Sequence, residues 1–260
     1  MRKLLFALLI SATTALSAQS VPMDGFAHVA IRVKDVPAAR AFYEKIGYIQ
    51  AFTLENKGVL DRSFMKINDD QFIELYPVTE KQPEVGFLHL CFYGSDLDSL
   101  HKQYVKDELK PNELRKAGAG NLLFTMEGPE KQNIEYTQYM PGSLHSNDHG
   151  KHLGTPVSGK LVSVSLAMKD VPAARAFYTE KLRFPVTKTQ SFAIPGTSGE
   201  TVMIEDDQIG ARMHVAFQVK SLKQAAASLK KRGVAFKSAK GSLSTTDPDG
   251  NIVEFRERAM

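Results

Sequence analysis

The sequence predicts an α+β protein of two tandem domains. Each domain holds two strand–helix–three-strand units that form a cupped mixed sheet with its helices on the back. Three observations carry this. At 260 residues the chain is long enough for two domains of about 100–150 residues, each able to bury its own core. Its composition, 43% hydrophobic and 24% charged, is that of an ordinary globular protein. Finally, Lys34-Asp35-Val36-Pro37-Ala38-Ala39-Arg40-Ala41-Phe42-Tyr43 recurs unchanged at Lys169–Tyr178, an offset of 135, each copy following a strand-like run.

Residues 1–18 read as a secretory signal peptide. Arg2 and Lys3 precede the apolar run from Leu4 to Ile10, which fades into Ser17-Ala18-Gln19-Ser20, with cleavage expected near Ala18. The run is short for a bilayer span, and no later apolar segment is long enough. The mature chain is therefore expected to be exported, to a bacterial periplasm or the medium, and free of the membrane once the signal is removed. Its net charge of +4 is small and dispersed, which argues against nucleic acid as a partner.

The N-terminal domain is expected over 24–142. It opens with a strand from Ala27 to Val33, then a helix capped by Asp35, with Pro37 in its first turn and Gly47 at its end. A second unit starts with the strand Phe87–Phe92 and a helix from Asp96 through Tyr104. Residues 143–159, rich in Gly, Ser, His and Asn, read as a linker. The C-terminal domain, 160–258, repeats the plan with strands Leu161–Met168 and Met213–Val219, the latter followed by a helix from Leu222 to Lys231 closed by Gly233. Four closing strands are Gln71–Leu75, Asn133–Tyr136, Thr201–Glu205 and Asn251–Phe255. Phe42, Tyr43, Phe177 and Tyr178 fall where the helices need bulk for packing.

Alternation in the strands separates two faces. Val29, Ile31 and Val33 suit the helix side, and His28, Ala30 and Arg32 the other. His89 and Cys91 oppose Leu88, Leu90 and Phe92, and His214 opposes Val215 and Phe217. The polar front carries a regular pattern: His28 to Glu74 and His89 to Glu135 are both 46 residues apart, Ser163 to Glu205 is 42 and His214 to Glu254 is 40. A His opens each unit and a Glu closes it, with Ser163 in place of the third His. Imidazole plus carboxylate without thiolate suits one divalent ion such as Fe, Mn, Ni, Co or Zn.

These residues resemble the vicinal oxygen chelate superfamily, which includes glyoxalase I, bleomycin-binding proteins and extradiol dioxygenases. The likeness rests on the strand–helix–strands unit, the His in its first strand, Asp-Val followed by Phe-Tyr entering the helix, and the Glu in its last strand. It implies a metal held by His28, Glu74, His89 and Glu135, chelating adjacent oxygens of a small oxygenated substrate. In a glyoxalase-like lyase or isomerase, Glu74 or Glu135 would also move the proton. An extradiol dioxygenase and a metal-free binding protein of the bleomycin-resistance type are the alternatives. Ser163, Glu205, His214 and Glu254 would form a second, damaged site. Pairing of neighbouring units assembles these two sets; pairing of the first unit with the fourth would join His28 and Glu74 to His214 and Glu254. The intervening linker favours neighbours. A homodimer is compatible with such a chain.

The single cysteine, Cys91, excludes an intramolecular disulfide and reads as a small cup-lining residue. His145, His149 and His152 could serve as a lid or an accessory metal ligand near the cup, but read rather as members of a solvated loop, because no carboxylates are placed with them.

Overall fold

The computed structural model describes residues 23–207 and 214–257; the signal-peptide reading lies outside them. β1 (Gly25–Val33) leads into α1 (Val36–Lys45), where the Asp35 carboxylate accepts the Ala38 N–H at 3.0 Å. Gly47 follows the helix at φ +103°, and a Cβ there would meet the Thr155 carbonyl oxygen at 2.4 Å, so only glycine fits. The chain returns through β2 (Ile49–Asn56), β3 (Val59–Lys66) and β4 (Phe72–Pro77). The second unit comprises β5 (Gly86–Tyr93), α2 (Leu97–Lys106), β6 (Arg115–Lys116), β7 (Leu122–Glu127) and β8 (Asn133–Gln138). All eight strands join one sheet in the order β2-β3-β4-β1-β5-β8-β7-β6.

A short helix, α3 (Leu144–Asn147), lies in the connection to the second half. There β9 (Leu161–Met168), α4 (Val171–Ala176), β10 (Phe192–Ala193) and β11 (Thr201–Asp206) form the third unit. The fourth comprises β12 (His214–Val219), α5 (Leu222–Lys231), β13 (Lys237–Ala239), β14 (Ser242–Thr246) and β15 (Ile252–Glu257). Their sheet runs β10-β11-β9-β12-β15-β14-β13. Neighbouring units therefore pair: β1 lies antiparallel to β5, and β9 to β12. The third unit departs from expectation, with two strands after its helix where the others have three. The repeated decapeptide also diverges at its end. Asp170 caps α4 as Asp35 caps α1, but the helix widens into a single π turn over Phe177–Lys181. Just beyond the repeat Thr179 turns its hydroxyl back to the Arg175 carbonyl at 3.0 Å.

The helix-covered backs of the two sheets share one buried core, with Tyr48 on Phe217 and Phe92 on Phe184, ring centroids 5.5 Å apart in both pairs. Polar ties cross in matched pairs: Lys34 N–H donates to Asp249 of the other half, and Lys169 N–H to Glu130. Among the described residues no helix is long and apolar enough to cross a membrane.

The connecting segment is fastened down. Lys66, buried at the end of β3, donates from Nζ to the Asp148 carboxylate at 2.8 Å and to the Asp148 and Lys151 carbonyls, and pairs with Asp69 at 2.7 Å. Replacing Lys66 by Met leaves the buried Asp148 carboxylate without its cation, and is expected to cost about 3–5 kcal/mol. Urea unfolding checks this; a loss below about 1 kcal/mol would show that the pair adds little. Converting Asp148 to Leu in the same chain should recover most of the loss.

Candidate metal centre

The centre sits on the cup face of the first sheet, and the strand register explains how it forms. Ala30 stands opposite Glu74 on β4 and opposite His89 on β5. His28 stands opposite Cys91, which in turn faces Glu135 on β8. Ala30 and Cys91 are wholly buried, and their small side chains leave room above them for the four larger ones. His28 Nε2 lies 3.0 Å from His89 Nε2 and 3.5 Å from Glu135 Oε1, while His28 Nδ1 lies 3.4 Å from Glu74 Oε1. His89 Nε2 is 3.9 Å from Glu135 Oε2. The structure thus brings together all four residues anticipated for the N-terminal half.

Burial governs their charge. His28 is pushed down to about 3 by burial and then by the Arg62 cation, and His89 to about 3 by burial and then by His28. Both imidazoles are neutral near pH 7, with lone pairs free to donate to a cation. Burial raises Glu74 above its ordinary range, opposed by His89, Arg62 and the Tyr76 hydroxyl, which donates to Glu74 Oε2 at 2.8 Å. Arg62 is itself held by Asp61 at 2.7 Å and by the Tyr76 hydroxyl, its guanidinium lying over the Tyr76 ring. Glu135 is pushed up to about 8, by burial first and the Glu74 charge second, which the Cys91 thiol, Arg62 and Arg115 oppose only in part.

This donor set fits a divalent ion. Bonds of about 2.0–2.2 Å to nitrogen and oxygen put adjacent donors about 3 Å apart and opposed ones about 4 Å apart. One imidazole gives an ion a single nitrogen, and His28 turns Nδ1 to Glu74 and Nε2 to His89 and Glu135; the donor atoms of His28, Glu74 and His89 all lie within 4.8 Å of one another, and Glu135 stands at the His28 Nε2 side of this set. His28 Nδ1 is buried and finds no hydrogen-bond partner. Cys91 Sγ lies within the same distance of His28 and Glu135, but burial raises its thiol well above the ordinary range, consistent with a small lining group.

His145 corrects the reading of its loop. His149 and His152 do reach solvent, but His145 is only 3% exposed and lines the same cup. Its ring stacks on Tyr139 and meets Phe52, Phe64 and Phe72 edge-on. Asn121 donates its side-chain amide to Nδ1 at 2.9 Å, and Nε2 is buried without a partner. No local signal marks this burial, because the aromatic neighbours from β2, β3 and β4 come from more than seventy residues away. The partly open space that His145 and Phe64 share with the centre is small, about 90 Å³.

The second cup differs. His214 Nε2 lies 3.5 Å from Glu254, and Glu205 4.0 Å from His214 Nδ1, but the Arg256 guanidinium stands among them. It lies 2.6 Å from Glu254, 3.4 Å from His214 Nε2 and 3.4 Å from the Met203 sulfur. A fixed cation thus occupies the place that the first cup offers to a metal. The register also corrects one position. Ser163 faces Thr201 as His28 faces Phe72, so Met203, not Glu205, is the counterpart of Glu74. Glu205 falls two residues further on, at the position of Tyr76. Ser163 and Met203 together remove two of four donors, and among the described residues no candidate metal cluster includes this half.

Residues 160–255 match the family described as the Glyoxalase/Bleomycin resistance protein/Dioxygenase superfamily. No curated protein matches the sequence significantly. Among solved structures, a Mn(II)-bound glyoxalase from Novosphingobium aromaticivorans superposes with a TM-score of 0.66 at 16% identity, covering 91% of this chain and 82% of that one. An extradiol ring-cleaving dioxygenase from B. fuscum gives 0.67 at 18% identity, covering 94% and 74%. A catechol 2,3-dioxygenase gives 0.66 at 12% identity, covering 92% and 94%. At these identities the likeness is one of fold. The sequence likeness to this superfamily is thus confined to residues 160–255, and over the length of the chain the likeness is one of fold. The sequence match falls on the half whose cup holds Arg256, not on the half with the four-donor cluster.

Proposed function

We propose that the protein is an exported metal-dependent enzyme of the glyoxalase-like lyase or isomerase type, with one divalent ion (Fe, Mn, Ni, Co or Zn) in its N-terminal cup. The carrying observation is the convergence of His28, Glu74, His89 and Glu135, with Arg62 reaching only the Glu74 oxygen turned away from His28, at 3.9 Å. The superfamily's fold, shared with a Mn(II)-bound glyoxalase, supports the reading. A bound ion would polarise two adjacent oxygens of a small substrate. Glu74, braced by Tyr76 and Arg62, serves as a fixed ligand. Glu135 faces the cavity with no bracing cation and serves as the base that moves a proton between adjacent carbons. The aromatic wall around His145 excludes water from that transfer.

The His28–Glu74–His89 set taken alone is a two-His, one-carboxylate arrangement, and this favours an extradiol-type dioxygenase as the second reading. A cavity of about 90 Å³ is tight for an aromatic ring, which supports the first. Oxygen uptake with catechol by the iron-loaded protein would reverse the order. A metal-free binding protein is the reading left if no ion is held.

Elemental analysis of protein purified without chelator is expected to give about one metal per chain; none after repletion with all five ions overturns the proposal. Affinity should also follow the carboxylates and not the imidazoles. With Glu135 at about 8 in the metal-free protein, an incoming ion must displace its proton at pH 7, whereas His28 and His89 are already neutral. Apparent affinity therefore rises from pH 6 to 8, by up to about tenfold per unit for each proton released. Titration calorimetry in two buffers of different ionisation enthalpy measures the release, and a flat affinity over this range would contradict it. Export rests on residues 1–18; an intact Met1 on protein from the native host would rule it out.

A further inference from the structure

We infer that the substrate of the N-terminal cup is a small carboxylic acid with an oxygen on the adjacent carbon, its carboxylate met by Arg115 and an oxygen by His145. This rests on the metal centre proposed above and narrows its substrate class. Size comes first. At about 30 Å³ per water, a 90 Å³ space holds roughly three waters, so the cavity suits a two- or three-carbon compound.

Charge comes second. Two arginines line the cavity, and they differ in commitment. Arg62 is tied to Asp61, Tyr76 and Glu74, whereas the Arg115 guanidinium, exposed on the edge strand β6, makes no hydrogen bond or ion pair among the described residues and reaches Glu135 only through its charge. A guanidinium at the rim of the cavity presents paired N–H donors in the geometry a carboxylate accepts. The small-residue turn from Ala117 to Gly120, with Gly120 at φ +88°, carries the chain from Arg115 round the rim to Asn121 without filling the opening.

The third observation is an unmet donor. Asn121 donates to His145 Nδ1, so the neutral ring carries its proton on Nε2, where no protein acceptor reaches it. Burial pushes His145 down to about 3, which keeps the ring neutral across the physiological range. A buried N–H without a partner is costly, and a substrate oxygen in the cup would satisfy it. The Lys66 clamp on Asp148 holds the His145 segment in place without substrate.

The test compares two near-isosteric probes with adjacent oxygens, lactate and propane-1,2-diol, titrated calorimetrically into protein whose metal content has been measured. Lactate should bind more tightly than the diol. Arg115→Gln should weaken lactate by about tenfold or more, the scale of one charged hydrogen bond, and leave the diol unchanged. His145→Phe, which preserves the aromatic packing, should weaken both. Metal at stoichiometry together with equal lactate affinity in wild type and Arg115→Gln overturns the inference and leaves the metal reading standing. Absence of metal overturns that reading, and the Arg115 comparison on metal-free protein then still decides whether the cup selects an acid.

Discussion

Replacing His89 by Ala is expected to strip the chain of its tight metal, whereas replacing His214 by Ala leaves metal content at about one per chain. β5 lies beside β1, so the His89 nitrogen stands 3.0 Å from that of His28, and either carboxylate is in reach of the pair. Losing one imidazole of four donors should cost well over the roughly 10–100-fold seen when only an outer-shell partner is removed. His214 lies on the other sheet, where Arg256 already neutralises Glu254 and Ser163 and Met203 contribute no strong donor. The His89 variant should still fold. Its imidazole is neutral when buried, so no charge is stranded, and its ring lies beside His28 on the cup face and outside the helix-packed core. Metal analysis beside a thermal melt separates the effects. Metal retained in a folded His89→Ala protein would remove the proposed site, and two tight ions per wild-type chain would contradict the lopsided arrangement.

That lopsidedness was partly legible in the sequence, and the illegible part has a physical cause. The repeated decapeptide carries its own cap and first-turn proline, so both helix starts could be read locally. Alternation in β1 and β5 put His28 and His89 on one face because period-two geometry leaves no choice. Glu205 was another matter. The 46-residue spacing of the first half drew attention to the nearest glutamate, but the third unit lacks a strand, and its spacing is that of the fourth. Ser163 to Met203 and His214 to Glu254 are both 40 residues, and this equality was the available signal. Arg256 could not be foreseen as the cation that fills the second cup, because which way a strand-end arginine folds depends on Met203 and His214 across the sheet. Nor could His145, whose burial depends on aromatic residues of three distant strands and on a lysine, Lys66, that composition alone assigns to the surface.

Replacing Glu135 by Gln is expected to cost proton transfer more than it costs metal binding, and the asymmetry between the two carboxylates is the reason. Glu74 is almost wholly buried, its second oxygen engaged by Tyr76 and approached by Arg62 at 3.9 Å, so its negative charge is fixed in one place. Glu135 has 16% of its side chain exposed to the cup, no arginine or lysine within ion-pair distance, and the Glu74 charge working against its own ionised form. Of the two, it is the carboxylate for which accepting a proton is favourable. Glutamine keeps the length and one oxygen donor but has no basic oxygen, so a positioned general base is lost, at a cost of about 10²–10⁴ in rate. Metal affinity should fall as well, because a neutral amide oxygen replaces one of the four donors, but by less than the rate of exchange. Glu74→Gln should do the reverse, weakening the metal more than the chemistry. Deuterium exchange into hydroxyacetone, followed by proton NMR with metal-loaded protein, reads the transfer without requiring the natural substrate. Undiminished exchange in Glu135→Gln would move the base to Glu74. Equal losses of exchange and metal would instead mean that Glu135 acts only as a ligand, leaving proton transfer without an assigned base in this cup.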